Sequence, residues 1–182
     1  GFSHYQDILK QIKTNFPGCE LYEVNLLAYL FDSGNLSVNN CIYQISSNIY
    51  NDGDRINEIF QSNSVWTGGP TSGEGGVYLY PVIDPKKGDI IIVRTGNLNI
   101  RSIGIVLENG YLEEEEWTEE GRIKFLRLSA VDRNISENQF TRKEAINRIS
   151  KEKEKTIREV FPETFRIIDS LTGKSKIMEQ IS

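Results

Sequence analysis

The sequence predicts an α+β fold, a small twisted β-barrel of about five or six strands with helices before and after it. Three observations carry that expectation. Lys87-Gly88-Asp89 turns into the β-branched run Ile90–Val93, and after the polar loop Gly96–Asn99 a second apolar run, Ile100–Val106, returns. That is a hairpin, and Gly104 between two isoleucines lets a backbone or a flat ligand come close. The stretches 41–46 and 122–128 alternate apolar and polar residues as half-buried strands do. The two ends of the chain instead repeat apolar residues at helical spacing.

Taken in order, Ile8, Leu9, Ile12 and Phe16 predict an amphipathic helix over Tyr5–Asn15, stopped by Pro17-Gly18. Leu21–Phe31 reads as a second apolar helix ending at Asp32-Ser33-Gly34. In the strand Cys41–Ser46, Ile42 and Gln44 share one face, and Cys41, Tyr43 and Ile45 the other. Asp54–Gln61 predicts a short helix that Asp52 or Asp54 caps, with Ile56, Ile59 and Phe60 as its apolar face. A long Gly-rich loop, 68–76, precedes a strand at Val77–Val82. The hairpin follows, then a short strand at Gly110–Leu112 and a last barrel strand at Arg122–Leu128. Thr141–Val160 predicts a helix with a Thr141/Glu144 capping box, and Pro162 opens another that closes at Gly173. Three units result: an N-terminal helical addition, 1–39; the barrel domain, 40–135; and a C-terminal helical extension, 136–182.

Composition narrows the function. No apolar run approaches the ~18 residues of a membrane span, and the N-terminus lacks a signal-peptide pattern. Cys19 and Cys41, the only cysteines, have no metal-type spacing and read as reduced thiols of a cytoplasmic protein. The absence of an initiator Met and the charged, helix-like end point to a piece of something longer or a processed start. His4 is the single histidine, which argues against a Ser-His-Asp triad or a multi-histidine metal site. The net charge of −5 divides as −4 over 1–60, 0 over 61–110, −4 over 111–140 and +3 over 141–182. The middle and the tail are therefore least hostile to a polyanion.

The motifs that suggest catalysis fail on their chemistry. Gly68 and Gly73 have Walker-like spacing, but the residue that must be lysine is Glu74, which repels phosphate. Asp84-Pro85-Lys86 with Asp54 is a weak nuclease metal set, because proline separates the two functional residues. The run Glu113–Glu116 splays in different directions, as a solvated loop does. No catalytic residue, metal site or cofactor is expected. The aromatics carry more. Trp66, set between Asn63-Ser64 and Thr67-Gly68-Gly69, either caps the core or lines a wet-mouthed cavity. A flat aromatic face beside amides and hydroxyls is what a flipped nucleobase requires.

The ordered set Cys41–Ser46, the helix at 54–61, Ser64-Val65-Trp66, Lys87–Val93, Ile103–Val106 and Tyr111 resembles the EVE-type branch of the PUA/YTH-like superfamily. Within it, the set is most similar to the DNA-reading modules of McrB-type, modification-dependent restriction proteins. The similarity spans about 40–128, with Val65-Trp66 where that family has glycine-tryptophan, and an acidic run with Trp117 where it has a basic one. It implies a PUA-like barrel with a pocket for an extruded, often methylated base, DNA more than RNA, in a restriction or defence system. It implies that Tyr43, Ser46, Ser47, Asn48, Trp66, Thr95, Asn97, Tyr111 and Trp117 line the pocket, with Trp66 as stacking wall. Lys86, Lys87, Arg94 and Arg101 then contact phosphates, and a motor or nuclease is fused C-terminally. The rival expectation is a protein-interaction module whose working surface is the helical tail; a metal-dependent nuclease ranks below it.

Overall fold

A computed structural model describes residues 6, 7, 10, 41–49, 53–67, 85–114, 117–129, 132–135, 140 and 146–172. Among these, the strands are β1 (Ile42–Ser46), β2 (Asn48–Ile49), β3 (Gly53–Asp54), β4 (Ser64–Val65), β5 (Ile90–Thr95), β6 (Asn99–Glu108), β7 (Ile123–Arg127), β8 (Arg133–Asn134) and β9 (Ile146–Arg148). The helices are α1 (Ile56–Ser62), α2 (Lys151–Val160) and α3 (Pro162–Thr172).

The main sheet runs β4-β7-β6-β5-β1-β9, with β8 beside β6, and β2 pairs with β3 separately. Among the described residues, all pairs but one are antiparallel. β1 lies parallel to β5, from Ile42 opposite Ile90 to Ser46 opposite Arg94. The α+β class is therefore correct. Closure into a barrel is not seen, because among the described residues the path ends at β4 and β9 with no pairing between them. The sheet has no need to curl in order to bury itself, since both faces are covered. On one, Ile42, Ile90, Ile92 and Ile105 pack against Ile157, Phe161, Phe165 and Ile168 of the C-terminal helices and their junction. On the other, Ile45, Ile91, Val93 and Val106 pack against Ile49, Ile56, Ile59 and Trp66. Burial on both faces explains why β5 is an unbroken β-branched run rather than an alternating one.

Local chemistry sets the turns. The Asp89 carboxylate, 4% exposed, accepts a hydrogen bond from the Lys86 backbone N–H at 2.8 Å. Gly88, at φ +92°, supplies the left-handed step that an L-residue resists. The N-cap position of α1 is Arg55, which makes no side-chain cap; Asp54, one residue earlier, accepts from Ile56 N–H through its Oδ1 at 3.1 Å. Gly104 is the close-approach glycine: a Cβ there would sit 2.4 Å from the Leu126 carbonyl oxygen and 2.7 Å from the Phe125 ring. The neighbour is the β7 backbone, so no side-chain rotation relieves the clash. Gly104→Ala is expected to cost about 1–3 kcal/mol or more, read as an earlier urea midpoint at constant slope.

Two elements differ from expectation. Residues 146–148 are not helical but form β9, antiparallel to β1 with Ile45 opposite Ile146 and Tyr43 opposite Arg148. Burying β1 leaves its edge N–H and C=O groups in need of partners, and β9 supplies them. The helix starts only at Lys151, where the Ser150 hydroxyl accepts from Lys153 N–H at 3.2 Å. Gly110–Leu112 is not a strand either; Tyr111 N–H bonds instead to the Gly121 carbonyl at 2.8 Å. The Thr141/Glu144 box, the strand at 77–82, the Gly-rich loop and the helix at 21–31 lie outside the described residues. Of the helix expected at 5–15, Gln6, Asp7 and Lys10 are described, and all three are helical. Residues 146–172 add a strand to the sheet and a wall to the core.

Candidate nucleic-acid interface

The single parallel pair determines what meets. Because β1 and β5 run the same way, their C-terminal ends emerge together, and residues about fifty apart in sequence become neighbours. The Ser47 and Thr95 hydroxyls are hydrogen-bonded at 2.7 Å. Ser47 N–H reaches the Arg94 carbonyl at 2.7 Å, and Arg55 N–H reaches the Ser47 carbonyl at 2.9 Å. The Ser46 hydroxyl accepts from Asn48 N–H at 3.1 Å and so shapes the exit from β1.

A β-bulge aims the next residue. Val93 pairs with Ser102 but Arg94 pairs with Ile100, so Arg101 is the extra residue on β6. Such a bulge re-aims side chains. Arg101 Nη1 donates to the Thr95 hydroxyl at 3.2 Å, and its Nε lies 3.0 Å from an Asp132 carboxylate oxygen. Ile100 meanwhile reaches the core on the other face. One end of the sheet therefore carries the half-buried hydroxyls of Ser46 and Thr95, an exposed amide side chain at Asn48, and the half-buried Arg101, while Ser47 is sealed beneath Thr95. Arg55, exposed on the strand-to-helix step beside Ser47, belongs to the same end. Sequence reasoning missed Arg55, since only the backbone bond to Ser47 brings it there.

Other expected members lie elsewhere. Arg94 points to the opposite face and is 2% exposed; its Nε donates to Gln44 Oε1 at 2.5 Å and its Nη1 to the Gly96 carbonyl at 2.8 Å. Its guanidinium stands 5.1 Å from the centre of the Phe140 ring. That is an interior strut, not the surface cation that a phosphate contact needs, because burial takes its donors inward. Gln44 continues the network to Asn147 of β9 at 2.7 Å. Asn97 sits in the β5–β6 turn, where its carbonyl accepts from Phe140 N–H at 2.7 Å. Tyr43 lies in mid-sheet opposite Ile91 and Arg148.

Trp66, Tyr111, Trp117, Lys86 and Lys87 gather at the far end. Trp66 follows β4, whose Val65 pairs with Ile123 at the start of β7. Lys86 and Lys87 precede β5, with Lys87 N–H bonded to Asn109 Oδ1 at 2.7 Å beyond the end of β6. The length of β5, about 20 Å at ~3.3 Å per residue, separates them from Thr95. Trp66 is 5% exposed, and the Arg122 guanidinium lies 3.6 Å from its ring centre. Glu58 holds that guanidinium by a 3.0 Å ion pair. The indole expected as an open stacking wall is a core side chain with a cation on its face. Trp117 is tied by its indole N–H to the Thr67 hydroxyl at 3.1 Å and packs under Gly110. Tyr111, 49% exposed, is the one large aromatic at the surface among the described residues.

Among the described residues, no group of three or more His, Cys, Asp or Glu could hold a metal ion. Of the nuclease set, Asp54 accepts from Ile56 N–H at the start of α1 and Asp84 lies outside the described residues. Cys41 is a half-buried free thiol. No helix among the described residues is long and apolar enough to cross a membrane. Comparison with protein-family models, with curated proteins and with solved structures finds no match.

Proposed function

We propose that this chain is a non-catalytic nucleic-acid-reading module, the specificity part of a cytoplasmic restriction or defence protein, which holds a flipped and possibly methylated DNA base. The observation that supports it best is the meeting of Ser46, Ser47, Asn48, Thr95 and Arg101 at one end of the parallel β1–β5 pair. Hydroxyls and an amide can both donate to and accept from a base edge, and a guanidinium beside them suits phosphate. Arg55 adds a second cation at that rim. In this reading Lys86 and Lys87 contact the backbone about 20 Å away, or roughly six phosphates at ~3.4 Å per step. The preference for DNA, the PUA-like closure of the sheet and a fused motor or nuclease all come from the resemblance to EVE-type modules.

A mobility-shift panel of unmethylated, N6-methyladenine and 5-methylcytosine duplexes at two salt concentrations tests the proposal. One methylated duplex should bind more tightly, and binding should weaken as salt rises, because phosphate contacts release counterions. No binding at either salt overturns the reading. Arg101→Ala and Arg55→Ala should each lower the logarithmic salt slope by about one. Arg55→Ala should barely move fold stability, since Arg55 is exposed, whereas Arg101→Ala should cost more, because half-buried Arg101 gives up its bond to Thr95 and its pair with Asp132. The helical tail is less favoured as a docking surface, because its apolar residues Ile157, Phe161, Phe165 and Ile168 are spent in the core.

A further inference from the structure

Five arginines among the described residues stand on aromatic rings. Four of them also give donors to an oxygen: Arg94 to Gln44 and Gly96, Arg122 to Glu58, Arg133 to the Val160 carbonyl, and Arg158 to Asp169. Arg127 does not. Its guanidinium lies 4.2 Å from the centre of the Phe60 ring and, among the described residues, meets no acceptor. Phe60 and Arg127 are both half-buried, so the ring holds the cation in place while its nitrogens still reach solvent. A guanidinium is a planar fork of N–H donors that fits a phosphate. Seating it on a ring without neutralising it keeps both charge and fork for an outside anion.

Register puts that fork on the reading face. Arg127 pairs with Gly104, and Gly104 with Ile91 of the core on the α1 side. Phe125, two residues before Arg127, belongs to the same core, and side chains repeat every second residue along a strand. Thr95, two residues past Val93, and Arg101, which bonds to it, face the same way. Because β6 is antiparallel to both β5 and β7, β7 runs toward the Thr95 end. Arg127, its last residue, lies three residues along β6 from Arg101 and one strand across, or ~10 Å by ~4.8 Å. Arg55 precedes α1 on the same side. The single carboxylate of α1, Glu58, is turned to Arg122, and Asp132 to Arg101.

From this geometry we infer that Arg127, seated on Phe60, is a phosphate-contacting residue, which takes a backbone phosphate about three steps, at ~3.4 Å each, from the one at Arg101. The inference rests on the proposed function and deepens it. It gives the bound strand a direction, from the β1–β5 end across β6 to β7. Phosphate contacts position a duplex without reading its sequence, so Arg127 adds affinity and no preference among bases.

The test uses the full chain and the same three duplexes. Arg127→Gln keeps part of the stem over Phe60 and removes the charge. It should bind all three about tenfold more weakly at the lower salt, the scale of one charge-assisted hydrogen bond. It should lower the logarithmic salt slope by about one and keep the wild-type order of preference. Wild-type affinity with an unchanged slope overturns the inference and leaves the proposed function standing. So does a loss confined to one duplex, which makes Arg127 a base contact. A second measurement needs no variant: phenylglyoxal labels guanidinium groups, and peptide mass spectrometry locates the label. Arg127 should be labelled in the free wild type and protected by bound duplex, with Arg158 of the tail labelled equally in both states and buried Arg94 in neither. Equal labelling of Arg127 with and without bound duplex overturns the inference. If wild type binds none of the duplexes, the proposed function itself fails and the inference goes with it.

Discussion

A chain stopped at Ile135 will not fold. The sequence alone suggests that the barrel ends there, but truncation removes β9 from the edge of β1 and strips Ile157, Phe161, Phe165 and Ile168 from one of the two cores. Each of these side chains is at most 4% exposed. At about 1.5–3 kcal/mol per buried side chain, the four together contribute roughly 6–12 kcal/mol. A domain's whole stability is about 5–15 kcal/mol. The loss also bares Ile42, Ile90, Ile92 and Ile105, and leaves Gln44 without its bond to Asn147. The 1–135 fragment is expected to give no cooperative thermal transition and no dispersed amide proton spectrum, while the full chain gives both. A soluble fragment that melts cooperatively would show that the helices are dispensable.

Trp66→Ala will act on the fold rather than on binding. Trp66 is buried with Ile45, Ile59 and Ile123 in the core on the α1 side. Truncating a buried tryptophan costs about 3–5 kcal/mol. In a domain of this size that lowers the melting midpoint by roughly 6–20 °C, at ~2–4 °C per kcal/mol. Arg122 loses the ring beneath it, and its Nε, already buried without a hydrogen-bond partner, loses its cover. Below the new midpoint the hydroxyl end of the sheet, about 20 Å away by strand length, should bind nucleic acid as wild type does. An unchanged midpoint with binding abolished would restore the indole as a ligand wall. The destabilisation is read by differential scanning calorimetry and the affinity by mobility shift below the transition.

Much of the fold was legible because it is written in local chemistry. The Asp54–Ile56 turn into α1, the Lys86–Asp89 turn, the β5–β6 hairpin and the Pro162 helix start each depend on residues within a few positions of one another. The strand at 146–148 was not legible. Ile146 and Ile149 fit a helical stripe extending from the real helix, and only the open edge of β1 makes the first of them a strand residue. Arg94 looked like a surface cation because nothing next to it in sequence announces Gln44 and Phe140, which bury it.

The candidate site divides in the same way. The resemblance implied Ser46, Ser47, Asn48 and Thr95 for the pocket and Arg101 for phosphate, and these five lie at one end of the β1–β5 pair. The resemblance grouped Trp66 and Trp117 with them, yet they sit at the other end of the strands. Arg55 was missed, because only a backbone bond to Ser47 brings it there.

By itself the chain's order of residues determined the β5–β6 hairpin, the turn before it and the short helix after Asp54, since those depend on side chains within about one turn or one hairpin, but not the strand at 146–148. The tertiary structure alone decided that β1 runs beside β5 in the same direction, which ends of the strands meet, and which of the polar residues are sealed inside. A parallel pair joins segments nearly fifty residues apart without any turn between them to mark the pairing, so its register is set only when both faces of the sheet are buried.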